Sequence, residues 1–181
     1  GQGISESVNR QMSLKLDHNV SERSRLNGRY SYAPYESTPP NIFGDLAPAF
    51  PLNNGPIVGT LHQFVTEYTR TQSPTSLWSI RYGLTYAGFT RDPIASFDLT
   101  QVGLPSYMRE QATHAVFPRF APDGYSPIGT EGWLKMDRQE GVHHVSGSYT
   151  RVMGGHNLKL GSESRFNFLD WNQEWREARN K

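Results

Sequence analysis

The chain has no cysteine at any of its 181 positions, which excludes disulfide scaffolds, cysteine-ligated zinc and thiol nucleophiles. It also lacks any run near the roughly 18 consecutive apolar residues that a membrane-crossing helix needs. That excludes helical spans and leaves strand-built ones open. Neither sign of charge is in excess, with 18 Lys and Arg against 17 Asp and Glu, so no global field draws the chain to nucleic acid. Apolar residues are scarce at 35%. Even with glycine counted in, their share stays under the roughly 45–50% of ordinary globular chains, too little for a thick core. What the chain does have is 4 Trp, 9 Tyr, 9 Phe, 17 Gly and 12 Pro. Such a composition suits strands and turns better than helices or disorder.

Catalytic patterns do not emerge. No P-loop, serine elbow or paired-carboxylate motif sits in a fitting context, and Gly1-Gln2-Gly3 begins a dinucleotide-like string that Glu6 interrupts. The six histidines, at 18, 62, 114, 143, 144 and 156, match no metal-ligand spacing, and adjacent His143 and His144 point to opposite faces of a strand. Asn19-Val20-Ser21 is a formal glycosylation triplet that reads as ordinary turn chemistry. The expectation is a protein without catalytic residues, metal or cofactor.

Period-two alternation is the strongest signal. In residues 11–18, Met12, Leu14 and Leu16 share one face while Ser13, Lys15 and Asp17 take the other. After the turn Asn19–Ser24, Leu26, Gly28, Tyr30 and Tyr32 continue the apolar phase, predicting a hairpin. The clearest strand is 77–89, with Trp78, Ile80, Tyr82, Leu84 and Tyr86 on one side and Ser79, Arg81, Gly83 and Thr85 on the other. Its partner, 60–70, is faint. Residues 139–151 and 157–168 form a third pair about Gly154-Gly155-His156-Asn157, with Lys159, Glu163 and Arg165 opposed to Leu158, Leu160 and Phe166.

Connections between these six strands run short, long, short, long, short. The long ones, Ala33–Gly59 and Arg91–Arg138, take 27 and 48 residues, whereas compact soluble domains seldom carry structureless loops beyond about 12–15. An up-and-down outer-membrane barrel places short turns on one rim and long extracellular loops on the other. Trp78 and Tyr86 are about 26 Å apart along a strand, or roughly 20 Å in height at a 40° tilt, near the ~25 Å apolar band and its aromatic girdles. Tyr30, Tyr32, Tyr86, Phe89, Phe166 and Phe168 then fall at strand ends beside the long connections, and Trp78 at the short-turn end.

The predicted fold is therefore all-β: a segment of an antiparallel up-and-down transmembrane barrel, about six strands with two long extracellular loops. Trp78, Ile80, Tyr82, Leu84 and Tyr86 are expected to face lipid, and Arg81, Lys159, Glu163 and Arg165 a wet or plugged lumen. Loop aromatics Tyr35, Phe43, Phe50, Tyr107, Phe117, Phe120 and Tyr125 are candidates for substrate contact, or for packing the loops over the barrel mouth. Prolines such as Pro34, Pro39 and Pro40 argue against further strands in those loops, and the polar, charged end from Glu174 to Lys181 shows no closing strand. Six strands fall short of the eight that the smallest such barrels need. With no initiator Met, residues 1–181 read as one partial barrel domain, an internal segment whose plug is not included. A soluble sheet with one solvated face, in a secreted β-sandwich that binds glycans, is one alternative; a small porin-like barrel is another.

The string Gln11-Met-Ser-Leu-Lys-Leu-Asp-His-Asn-Val-Ser21, followed by Arg25-Leu-Asn-Gly-Arg-Tyr-Ser-Tyr32, resembles the barrel of TonB-dependent outer-membrane receptors, in particular the Oar-like group. Phe97-Asp-Leu-Thr-Gln-Val-Gly-Leu-Pro105 and Gly154-Gly-His-Asn-Leu-Lys-Leu-Gly161 agree. The resemblance, over about residues 10–168, implies a bacterial outer-membrane transporter with a 22-stranded plugged barrel. Such a barrel takes up a scarce substrate with energy relayed by the TonB complex. Its implied partners are outer-membrane lipid, the rest of the barrel with its plug, and TonB through that plug; no nucleic acid is implied. No stretch matches the plug or its TonB-contacting box.

Overall fold

The computed structural model describes residues 4–39, 55–92, 97–111, 116–125, 129 and 133–175. Its body is one antiparallel sheet of strands β1 (Glu6–Asn9), β2 (Met12–Ser21), β3 (Ser24–Thr38), β4 (Ile57–Ser73), β5 (Ser76–Arg91), β6 (Trp133–Met153) and β7 (His156–Trp175). Each strand from β3 onward pairs with the next in sequence, while β1 and β2 both pair with β3. This is the predicted up-and-down plan. Tight turns at Glu22-Arg23, Pro74-Thr75 and Gly154-Gly155 close the three hairpins, and the long connections, 39–56 and 92–132, emerge together at the opposite end.

β1 and β2 are one strand in all but hydrogen bonding. Asn9 lies opposite Tyr35 and Met12 opposite Tyr32, so the register runs through Arg10 and Gln11 without a slip. The break falls at Pro34. The Arg10 amide donates to the Pro34 carbonyl at 3.2 Å, but proline has no amide to return the bond. Pro34 thus corrects the expectation that it marks a loop: it lies within β3, its missing donor turned toward β1 and β2 rather than toward β4.

The strands also outrun their predicted ends on the long-connection side. β3 continues to Thr38 where Tyr32 was the expected limit, and β7 continues to Trp175 where Phe168 was. The faint strand, β4, proves central and pairs along its length with both neighbours. Within the second connection, a 3₁₀ turn Leu99–Val102 and a short helix α1 (Tyr107–Gln111) interrupt the irregular backbone. No helix among the described residues is long and apolar enough to cross a membrane.

Burial sets this sheet apart from a globular domain. Among the described residues the buried hydrophobic side chains are Phe97, Leu99, Val116 and Phe117, all in the second long connection. On the sheet, Leu14 is 71% exposed, Phe166 67% and Ile80 52%. Among the described residues no second layer of this chain covers them, as a β-sandwich would require.

Candidate functional site

Register sorts the strand side chains into two faces. One carries Leu14, Tyr30, Phe64, Leu84, His143 and Phe166 in a single row across six strands, with Met12, Tyr32, His62, Tyr86, Gly141 and Phe168 in the next. Rings from these rows touch in sequence: Tyr32 with His62 at 4.9 Å, His62 with Tyr86 at 6.0 Å, Tyr86 with Phe168 at 6.3 Å. They form a continuous belt. Its two imidazoles are satisfied within it, since Tyr30 Oη and His62 Nδ1 share a hydrogen bond at 2.8 Å and Tyr82 Oη and His143 Nδ1 one at 2.9 Å. Phe168 lies over Gly141, where any Cβ would overlap the ring, so glycine is what lets the belt lie flat. A second aromatic pair, Tyr68 and Trp78 at 5.4 Å, stands near the short-turn end.

The other face carries charge. Asp17 bridges Lys15 at 2.9 Å and Arg25 at 3.2 Å. Glu67 lies opposite Arg81, and Glu163 sits 3.3 Å from Arg165 and 3.4 Å from His144 Nε2. Serine pairs, Ser13 with Ser31 at 2.9 Å and Ser79 with Ser148 at 3.1 Å, fill the gaps. The predicted sets hold together: Trp78, Ile80, Tyr82, Leu84 and Tyr86 share the belt face, and Arg81, Lys159, Glu163 and Arg165 the charged one.

Beyond the belt, toward the long connections, the two faces exchange character. The belt face turns polar, with Glu36, Thr60, Thr90, Gln139, Asp137, Asp170 and Asn172. The charged face gathers rings in one row, Tyr35, Gly59, Phe89, Arg138 and Trp171. Tyr35 packs over Gly59, which has no room for a Cβ. The Arg138 guanidinium lies 5.9 Å from the Phe89 ring centre and 5.5 Å from that of Trp171, and it pairs with Glu140. Two expectations change here. Phe89 belongs to this row rather than to the belt, and Tyr35 stands in β3 rather than in a loop.

A family model for the outer membrane beta barrel domain matches residues 2–178. The chain belongs to this family of outer-membrane β-barrels. The barrel domain is accordingly a protein of the bacterial outer membrane, and its up-and-down sheet is barrel wall. No curated protein matches it.

The remaining aromatics of the barrel domain divide by their surroundings. Phe117 is buried against Phe97 at 4.9 Å, packing the second connection upon itself, and Phe120 meets its other side at 5.9 Å. Tyr107 and Tyr125 stand exposed. Phe43 and Phe50 lie outside the described residues. Among the described residues no three His, Cys, Asp or Glu come together to hold a metal. Sequence reading missed Arg138 and Trp171, which lie beyond the predicted strand ends. Knowing that β6 and β7 continue would have placed both by parity.

Proposed function

We propose that the barrel domain is a section of the wall of a TonB-dependent transporter, which takes up a scarce substrate through a plugged barrel. In this reading residues 1–181 are part of a larger barrel. The belt face, with Trp78, Ile80, Tyr82, Leu84 and Tyr86, meets lipid. The charged face, with Arg81, Lys159, Glu163 and Arg165, lines the lumen, and the two long connections are extracellular. The observation that carries the reading is the charge of this face. Asp17 pairs with Lys15 and Arg25, and Glu163 with Arg165, in a network across the sheet. Ionised groups arranged in this way suit a wet or plugged lumen rather than an apolar interior. The resemblance of Gln11–Ser21 and Arg25–Tyr32 to TonB-dependent receptors points to the plugged kind.

Planar-bilayer recording of the full-length protein tests this. A plugged transporter stays closed and conducts once its plug is removed, and its uptake in cells stops when the TonB complex is disabled. Constitutive conductance without any plug would instead make it a porin-like barrel. Solubility as a monomer without detergent would return the reading to the glycan-binding sandwich.

A further inference from the structure

Where the charged face meets the long connections, three donors lack acceptors. Arg91 Nε, Arg138 Nε and Gln173 Nε2 are each shielded from solvent with no hydrogen-bond partner. They belong to one patch. Arg91, Met136 and Gln173 are register neighbours, and Phe89, Arg138 and Trp171 form the adjoining row on the same face. Donors left unmade in a folded protein are costly and uncommon, and three together give this patch an unusual capacity to bind an acceptor. An anion suits it best, because two of the three donors are guanidinium nitrogens and Glu140 engages only Arg138 NH2. Arg138 remains 32% exposed, so a modest rotation presents its planar fork to the lumen. Rings surround it: Phe89 and Trp171 flank the guanidinium, Tyr35 lies over Gly59 in the same row, and Trp171 is 52% open to solvent. A flat ligand can stack on these surfaces.

We propose that this patch binds a carboxylate carried on a planar aromatic body, the carboxylate taken by Arg91, Arg138 and Gln173 and the ring by Trp171. It deepens the transporter reading and rests on it, because the charged face must line the lumen for cargo to reach the patch.

The test uses the full-length protein in detergent, with benzoate, benzamide and acetate as probes and saturation-transfer NMR as the readout. Benzoate should bind. Benzamide, which lacks the charge, and acetate, which lacks the ring, should each bind about tenfold more weakly or not at all. Arg138→Gln and Arg91→Gln should each weaken benzoate about tenfold or more, while Lys159→Gln, on the same face but near the short turns, should leave it unchanged. Arg138→Lys, which keeps charge but loses the fork, and Trp171→Ala serve if the glutamine variants misfold; both should lose affinity. Absence of benzoate binding, or binding indifferent to all four patch variants, overturns the proposal. A Ser146→Cys variant separates the two levels. If a charged maleimide labels it in membranes and benzoate still fails to bind, only the patch assignment falls. If the cysteine stays shielded even in a plug-deleted variant, the lumen reading falls and the patch assignment goes with it.

Discussion

Tyr35 and Gly59 show how a single missing Cβ shapes this wall. The tyrosine ring occupies the space a side chain at 59 would need, so Gly59→Ala must push the ring aside and should cost about 1–3 kcal/mol, as overpacking generally does. Removing the ring as well, in Gly59→Ala with Tyr35→Ala, should recover much of that loss. A double-mutant cycle on denaturant unfolding of the full-length protein in lipid checks it.

Two neighbouring residues test which face meets lipid. Val145 stands in the row of Tyr82, midway between Trp78 and Tyr86; Leu84 lies one row further on, in the belt itself. Val145→Arg should therefore cost about 2–4 kcal/mol in a bilayer. Ser146→Arg should change stability by less than about 1 kcal/mol, because its cross-strand neighbours are Glu163 and Arg81. Equal costs at the two positions would reject the orientation. In the second connection, Asp98 caps the 3₁₀ turn, accepting from the Thr100 amide at 3.1 Å and hydroxyl at 2.8 Å. Those bonds, the backbone one foremost, hold its carboxyl below the ordinary 3.8. Since the folded value is the depressed one, the cap contributes fully above the ordinary carboxylate range and fades as pH falls through the lowered value. Protection of the Thr100–Val102 amides, exchange rates taken relative to the intrinsic rate at each pH, should fall on acidification from pH 6 toward 3, and Asp98→Ala should remove that change in protection.

At the scale of the strand, Pro34 marks the one rung of the β1–β2 edge that hydrogen bonds in a single direction. Pro34→Ala should supply the missing donor to Arg10 and stabilise the sheet by about 0.5–1.5 kcal/mol, with slow exchange of the new amide. Unchanged stability and a fast-exchanging amide would mean that another group already occupies that carbonyl. The same strand explains where sequence reading succeeded and where it stopped. From Trp78 to Tyr86, large apolar residues alternate with Ser, Arg, Gly and Thr, and period two is plain. In β4 the belt face holds His62 and Thr66 while the charged face holds Leu61 and Val65, so contrast is weak and only pairing reveals a central strand. Above the belt the contrast reverses sign. Leu169 and Trp171 point with the charges and Asp170 and Asn172 with the belt, as the proposed orientation requires where water takes over from lipid. A reader following one phase of alternation sees the pattern end at Phe168, although the backbone continues. Topology and face assignment were legible; strand length and the Arg138 row were not, because they depend on where the surrounding solvent changes.

For the whole molecule, the sheet's edges matter most. Among the described residues β1, β2 and β7 each pair on one side only, and unpaired edges in hydrocarbon leave amides and carbonyls without partners. Residues 1–181 produced alone and mixed with liposomes should therefore give no protease-protected, heat-resistant barrel, whereas the full-length protein should. A protected barrel from the isolated segment would favour a small self-closing assembly over a slice of a large one. The ion pairs of the charged face fit the same view, since they suit a wet or plugged lumen.

The extension of β5 and β7 past the aromatic belt has a consequence for how cargo arrives. Five residues separate Tyr86 from the end of β5 at Arg91, about 13 Å of height at the usual strand rise and tilt. In the proposed orientation the wall then stands above the bilayer as a hydrogen-bonded collar, level with the sugar layer of the outer leaflet. The width of that collar would set an upper limit on the size of what descends to the rings and guanidinium groups inside.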